Sequence, residues 1–303
     1  MRALIALALM ALPAFADPVS VTDRRGPQTF DAPPARIATL DWSITEALLD
    51  LGVTPVGVAE PRSYADWVVE PTLPEGAVDL GLRAEPNLEA LAALAPDAIV
   101  SADLDPALIP ALERIAPVVI FDAFDAKHDN VQAARDIFLN LGALTGKRAE
   151  AEAMLAAQDR EIDAIAARLA DHFRSNHPKV TAIRLNDATS VYVNGANSVP
   201  EYVLARLGFQ NELPQPVNRW GITLLRVDDL AAAENGIVLT IGPDMTGAAL
   251  RKTPVWSFLP FVQAGRIAEV RPVWSYGGAM SQGRMAKAFE EALMTIPPEA
   301  VAP

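Results

Sequence analysis

Between residues 129 and 173 the chain carries little but helix signal, while on both sides of that block short apolar runs alternate with helical stretches. The second half of the block reads "GKRAEAEAMLAAQDREIDAIAARLADHF". In it Leu155, Ile162, Ile165, Leu169 and Phe173 recur at steps of seven, three, four and four. Glu150, Asp159, Arg160, Asp163 and Arg168 fall off that stripe. The spacing predicts one helix of roughly seven turns with a single buried face.

Ahead of the block, after an extended lead, "RIATL" is a short apolar strand and "SITEALLDLG" a helix. Ser43 as N-cap, Glu46 three residues on and Gly52 as the stop make a capping box with a C-terminal glycine. "TPVGVAE", "DAIVSA" and "VVIFDA" are further strands, separated by the helices "EPNLEALAALAP" and "ALIPALERIAP". Beyond the block come the strands "VTAIRLN" and "SVYVNG", and a helix at "SVPEYVLARLG" with Ser198 as N-cap. A loop "FQNELPQPVNRWG" follows, then a helix from about Val227, a strand "GIVLTIG" and a helical stretch over residues 280–293. Such alternation predicts α/β structure with a mostly parallel sheet. The expected architecture is two α/β lobes joined by one long helix: an N-terminal lobe over residues 17–145, the connecting helix over 146–175 and a C-terminal lobe over 176–303. "NLEALAALAPDAIV" and "VDDLAAAENGIVL" echo one another, each placing an acid, Glu89 or Asp228, two residues before a leucine in a short helix that feeds a strand.

Residues 1–16, "MRALIALALMALPAFA", have the form of a cleaved signal peptide. Arg2 is the charge, residues 3–12 the apolar run, and Ala14-Phe15-Ala16 the cleavage end. The run is too short to cross about 30 Å of hydrocarbon. The chain has no cysteine, which excludes disulfides, thiolate metal sites and a cysteine-linked lipid anchor. Its formal net charge of −13 repels nucleic acid and anionic lipid. On such a surface an isolated cation is informative.

Arg83 is one. It sits in "DLGLRAEPNLEAL", after an apolar dipeptide and before the helix signal at Glu85-Pro86. Its planar fork of donors suits paired oxygen acceptors. The plain alternative is a surface pair with Glu85 or Asp79. Trp42, Trp67, Trp220 and Trp274 stand in loops or at strand ends, where open α/β sheets bind ligands, with Tyr276 beside Trp274. Trp256 in "TPVWSFLPF" reads as core. Catalysis has little support: "AMSQG" lacks the first glycine of a nucleophile elbow, and no histidine follows it. His172 and His177 have no evident third metal ligand. "GANS" is a strand-to-helix turn, not a phosphate loop.

These residues carry a resemblance. "RIATLDW…EALLDLGVTPVGVAE", "DLGLRAEPNLEALAALAPD", "NGANS", "NRWG", "TPVWSFLPFVQAGRIAEV" and "PVWSYG" resemble the periplasmic iron(III)-hydroxamate siderophore-binding proteins. These are the ferrichrome-binding type of the long-helix class of ABC-transporter binding proteins. The resemblance implies a ligand cleft between the lobes. It implies that Arg83 reaches the iron-bound hydroxamate oxygens, that Trp42, Trp67, Trp220, Trp274 and Tyr276 form the cleft aromatics, and that Leu185 and Asn218 are pocket positions. It also implies that Glu89 and Asp228 dock onto arginines of an inner-membrane ABC permease. The ferric siderophore is the ligand; no cofactor and no protein metal ligands are implied. After "DAIVSA" this chain has "DLDPALIP" where ferrichrome binders have aromatics. Arg184 and Arg219 stand beside pocket positions and add positive charge, which leads to the expectation of an anionic ligand such as a citrate-hydroxamate siderophore. The protein implied is a monomeric periplasmic solute-binding protein and not an enzyme. A corrinoid or haem on the same fold, with Tyr276 as the one candidate axial ligand, and a secreted hydrolase are the alternatives.

Overall fold

The computed structural model describes residues 17–174, 178–243 and 247–301. Residues 1–16, the expected signal segment, and His177 therefore lie outside the described residues.

Two five-stranded sheets stand on either side of the long helix. The N-terminal sheet has the order β5-β4-β3-β6-β7 and is parallel throughout. Its strands are β3 (Ile37–Thr39), β4 (Gly57–Val58), β5 (Val78–Asp79), β6 (Ala98–Ala102) and β7 (Val118–Phe121). Helices cover both faces, so neighbouring strand residues enter different cores. Ile37, Val100 and Val119 face one cluster, and Ala38, Ile99 and Val118 the other. In the second sheet, β10-β9-β8-β11-β12, the strands are β8 (Val180–Leu185), β9 (Ser190–Asn194), β10 (Ile222–Arg226), β11 (Ile237–Ile241) and β12 (Ile267–Val270). β8, β11 and β12 run parallel, while β9 is reversed and pairs antiparallel with both β8 and β10.

The long helix spans Arg148–Phe173, and each apolar residue of the predicted stripe is buried. The stripe serves two lobes. Leu155 packs in the N-terminal core, while Ile162, Ile165, Leu169 and Phe173 pack in the C-terminal one. The seven-residue step between Leu155 and Ile162 is the crossing point. Gln158 is buried there; its Nε2 donates to Ala279 O (2.9 Å) and its Oε1 accepts from Gly283 N (3.0 Å). That amide receives the C-terminal helix, Ser281–Leu293. Gly283 leaves no room for a side chain, since a Cβ would meet Gln158 Oε1 at 2.6 Å.

Helix α1 (Trp42–Asp50) starts differently from the expectation. Asp41, one residue upstream, is the N-cap: its Oδ1 accepts from Ser43 N (2.8 Å) and Ile44 N (3.3 Å). Ser43 only adds a hydroxyl bond to Asp41. Glu46 caps nothing. Its carboxylate is fully buried and accepts from Gly278 N (2.9 Å) and from the Ser281 hydroxyl. Gly52 does end the helix, at φ +70°. Helix α3 (Leu88–Ala93) likewise starts later than Glu85-Pro86, with Asn87 as its cap. The segment after Val227 is a 3₁₀ turn, Asp228–Ala232.

Sequence reasoning does not find the hairpin β1 (Val19–Asp23)–β2 (Gly26–Phe30), nor β10 and β12. The hairpin covers the outer edge of β7. Arg24 N donates to Ile120 O (2.9 Å), and the buried Asp23 carboxylate accepts from Ile120 N (3.0 Å) and Gln28 Nε2 (2.6 Å). It shields an edge strand through backbone and side-chain bonds; only β1 alternates, with Val21 buried in the N-terminal core, while β2 does not.

Candidate functional site

Parallel strands all point the same way, so the loops at their carboxyl ends gather on one rim. In the N-terminal lobe that rim brings together Leu40-Asp41 after β3, Glu60 after β4, Arg83 after β5, Asp103-Leu104 after β6 and Phe124 after β7. Facing it are Arg184 on β8, Tyr192 on β9, Trp220 and Ile222 at the start of β10, and Trp274 and Tyr276 after β12. Apart from Glu60, these residues enclose a cavity of about 560 Å³ between the lobes.

The loop that carries Arg83 is pinned at its base. Asn87 N donates to Leu80 O (2.7 Å), Gly81 bridges Pro86, and Gly81 N donates to Asp79 Oδ1 (2.8 Å). Gly81 has φ +80°, which favours glycine. At the tip, Arg83 Nε donates to Glu60 Oε2 (2.9 Å) and Arg83 N to Glu60 Oε1 (3.2 Å). The ion-pair partner is thus Glu60, neither Asp79 nor Glu85. The guanidinium carbon stacks 3.8 Å from the ring centre of Trp42. Both contacts orient the fork. Among the described residues its two terminal nitrogens have no hydrogen-bond partner and are free to donate into the cavity.

Aromatic rings make most of the wall. Trp274 is the hub, edge-to-face with Trp42 (5.1 Å), Tyr276 (5.2 Å) and Trp67 (5.9 Å). Tyr276 continues to Phe124 (5.9 Å) and Trp220 (6.0 Å). Trp220, Trp274 and Tyr276 line the cavity; Trp42 and Trp67 do not. Trp42 is buried under Arg83, with Nε1 donating to Ala59 O (3.1 Å). Trp67 ends helix α2 (Pro61–Trp67) and is not in a loop; it backs Trp274 and Arg184. Trp256 is core, against Phe261.

Three further positions are displaced for local reasons. Side chains alternate along a strand, so Arg184, in register with Tyr192, faces the cavity, while Leu185, in register with Val191, turns away into the lobe core. Asn218 is a loop brace: its Nδ2 donates to Ile222 O (2.9 Å), and its Oδ1 accepts from Trp220 N (3.0 Å), which sets the Trp220 ring at the rim. Arg219 crosses to the other lobe, donating to Asp103 Oδ1 (2.7 Å) and Phe124 O (3.1 Å). Asn130 fastens the same flank, donating from Nδ2 to Asn197 O (3.0 Å) and Arg219 O (2.9 Å).

Burial raises the Asp41 carboxyl above its ordinary range, opposed by the Ser43 bond and the Arg83 charge. It raises Asp103 as well, opposed by Arg219. The Tyr276 phenol is also raised by burial, opposed by Arg184. Glu89 and Asp228 lie outside the cavity, both exposed in the first turn of their short helices. Asp228 is held by Arg226 through bonds of 2.9 and 3.2 Å. His172 bonds Ile296 O (2.9 Å).

Sequence reasoning misses Glu60, Phe124 and Tyr192. Tyr192 was findable: "SVYVNG" paired with "VTAIRLN" puts Tyr192 and Arg184 on one face. Phe124 follows a strand end directly. Glu60 carried no local signal, since its link to Arg83 spans 23 residues.

Comparison with known proteins adds four findings. The sequence profile of a family described as periplasmic binding protein matches residues 37–273. The iron(3+)-hydroxamate-binding protein FhuD of Escherichia coli is 35% identical over 263 residues, covering 86% of this chain and 87% of that protein. The structure of a siderophore-binding protein FhuD from Vibrio cholerae with bound Fe3+–Desferal superposes with a TM-score of 0.84 at 42% identity, over 88% of this chain and 99% of that one. The Fe(3+) dicitrate-binding periplasmic protein FecB of E. coli is 34% identical over 157 residues, 49% of either chain.

Proposed function

The chain belongs to the periplasmic binding protein family, and from that premise we propose that it captures a preformed ferric hydroxamate chelate between its lobes for delivery to an inner-membrane ABC importer. Like its relatives it is a binding protein, not an enzyme. One observation carries the reading of the site. Arg83 is fixed by Glu60 and Trp42, keeps two donors open, and stands at the rim of an aromatic-walled hollow of about 560 Å³. A ferric trihydroxamate arrives with its iron fully coordinated. It offers an oxygen-rich face for a guanidinium fork and an organic rim for rings, so the protein needs no metal ligand of its own. Trp220, Trp274, Tyr276, Phe124 and Tyr192 supply the rings. Trp42 and Trp67 act through the residues they hold.

The expected result is saturable quenching of tryptophan fluorescence by Fe3+–Desferal, with no response to iron-free Desferal. Quenching by the free chelator alone would overturn the reading, and so would a preference for cobalamin or haemin.

Glu89 and Asp228 are proposed as the docking acids, one on each lobe, and charge complementarity is the support. Asp228 has its charge partly answered by Arg226, so Glu89 carries the larger share. Reversal by Glu89→Arg is expected to cut stimulation of the importer's ATPase several-fold and to leave quenching unchanged. Full stimulation by the variant would remove Glu89 from the interface. The setting is extracytoplasmic, as for the relatives. No helix among the described residues is long and apolar enough to cross a membrane. The proposed periplasmic address rests on the relatives and on the signal segment read in residues 1–16.

A further inference from the structure

The three arginines around the cleft are answered unequally. Arg83 is paired with Glu60 at 2.9 Å and Arg219 with Asp103 at 2.7 Å. Arg184 has rings instead: its guanidinium lies 4.9 Å from the centre of Tyr192, 5.5 Å from Trp67 and 5.9 Å from Tyr276. Aromatic faces hold a cation in place and carry no net charge, so they leave its field intact. Among the described residues no carboxylate lies within ion-pair distance of Arg184.

The acids of the hollow are on the other side. Asp41, Asp103 and Asp105 all belong to the N-terminal lobe, and each is engaged. Asp41 caps α1 beside Arg83, Asp103 meets Arg219, and Asp105 accepts from Ala107 N at 2.9 Å. The C-terminal wall thus presents one unanswered guanidinium, fixed by three rings, to whatever the hollow contains.

We propose that Arg184 sets the charge preference of the site: it pairs with a free carboxylate on the periphery of a ferric hydroxamate, and chelates bearing one are held more tightly than neutral or cationic ones, a proposal that rests on the capture function above. Arg83 grips the iron-bound oxygens common to all such chelates, and Arg184 discriminates among them. Arg219, by sequence an equal source of positive charge, is spent on closing the flank.

A single chelate core tests this. Fe3+–Desferal ends in a primary ammonium group. Acetylation makes that end neutral and succinylation makes it a carboxylate, with the three hydroxamates untouched. By fluorescence titration at low salt the succinyl form is expected to bind about 10-fold more tightly than the acetyl form. The parent ammonium form is expected to bind most weakly. Arg184→Gln should bring the succinyl-to-acetyl ratio close to one, and Arg184→Lys should retain part of it. The ratio is taken within each variant, so a general loss of affinity does not enter. Equal binding of the two forms by the unmodified protein overturns the proposal, as does a succinyl advantage that survives in Arg184→Gln. If none of the three forms quenches, the capture function itself falls and this proposal with it.

Discussion

Arg83→Ala is expected to weaken binding of Fe3+–Desferal by about 140- to 700-fold, measured by quenching of tryptophan fluorescence. Each hydrogen bond from a charged donor is worth about 1.5–3 kcal/mol when its partner would otherwise stay desolvated, and about 1.4 kcal/mol is tenfold in affinity. Two open terminal nitrogens therefore account for about 3–4 kcal/mol, taken at the lower part of that range. The variant also releases Glu60, whose carboxylate would then repel the chelate oxygens. Arg83→Lys keeps the charge but replaces a planar fork by a single ammonium, so it should fall between the two. Folding should change little, because the loop is pinned by Asn87 and Gly81 and not by the side chain. An alanine variant that binds within threefold of the parent would show that Arg83 is only the surface partner of Glu60.

The second large effect lies on the opposite flank. Arg284, in the C-terminal helix, reaches into the N-terminal lobe. Its Nη2 lies 2.8 and 2.9 Å from the two Asp50 oxygens and 3.1 Å from Glu46 Oε1, and its Nε donates to Glu70 O (3.2 Å). One cation thus serves two carboxylates, and the side chain of Glu46 is 0% exposed. Arg284→Ala would leave both acids facing each other without compensation. Losing one partner of a buried ion pair costs about 3–5 kcal/mol. That is a large share of the stability of an ordinary domain.

The loss should depend on pH. Burial raises both carboxyls against the pull of Arg284, and their mutual repulsion adds to the rise in Asp50, which is pushed up to about 7. A group held above its unfolded value of 3.8 is protonated more readily in the folded state. Its stabilising contribution is therefore complete below about pH 4 and is lost as pH rises through 7. Urea unfolding should show stability declining from pH 5 to 8, and Asp50→Asn should flatten that decline. Without Arg284 the acids hold their protons more strongly still, so the cost of Arg284→Ala should be smaller at pH 5 than at pH 8. Equal losses at the two pH values would mean that the cluster does not titrate in this range.

A local sequence pattern misleads where it has a distant competitor. Ser43 and Glu46 satisfy the spacing of a capping box, yet Asp41 takes the cap and Glu46 is claimed by Gly278 and Ser281, more than 230 residues away. Leu185 was displaced by a single position, which on a strand reverses the face. Trp42 and Trp67 sit at strand and helix ends beside the cavity, but the second layer of an aromatic cluster looks the same in sequence as the first. The hairpin strand β2 and the edge strand β10 carry no sustained apolar alternation, because what secures them is backbone pairing to their neighbours.

The order of strands and helices, the long helix with its buried stripe, and the presence of an arginine at the tip of a strand-to-helix loop were all determined by the sequence alone. Each depends on periodicities and breakers that act within a few turns of chain. Which rings face the hollow, which acid holds Arg83, and which arginine keeps its charge unanswered were decided only by the tertiary structure. Burial and neutralisation are properties of contacts between segments, and here those segments meet only when two lobes close on one helix.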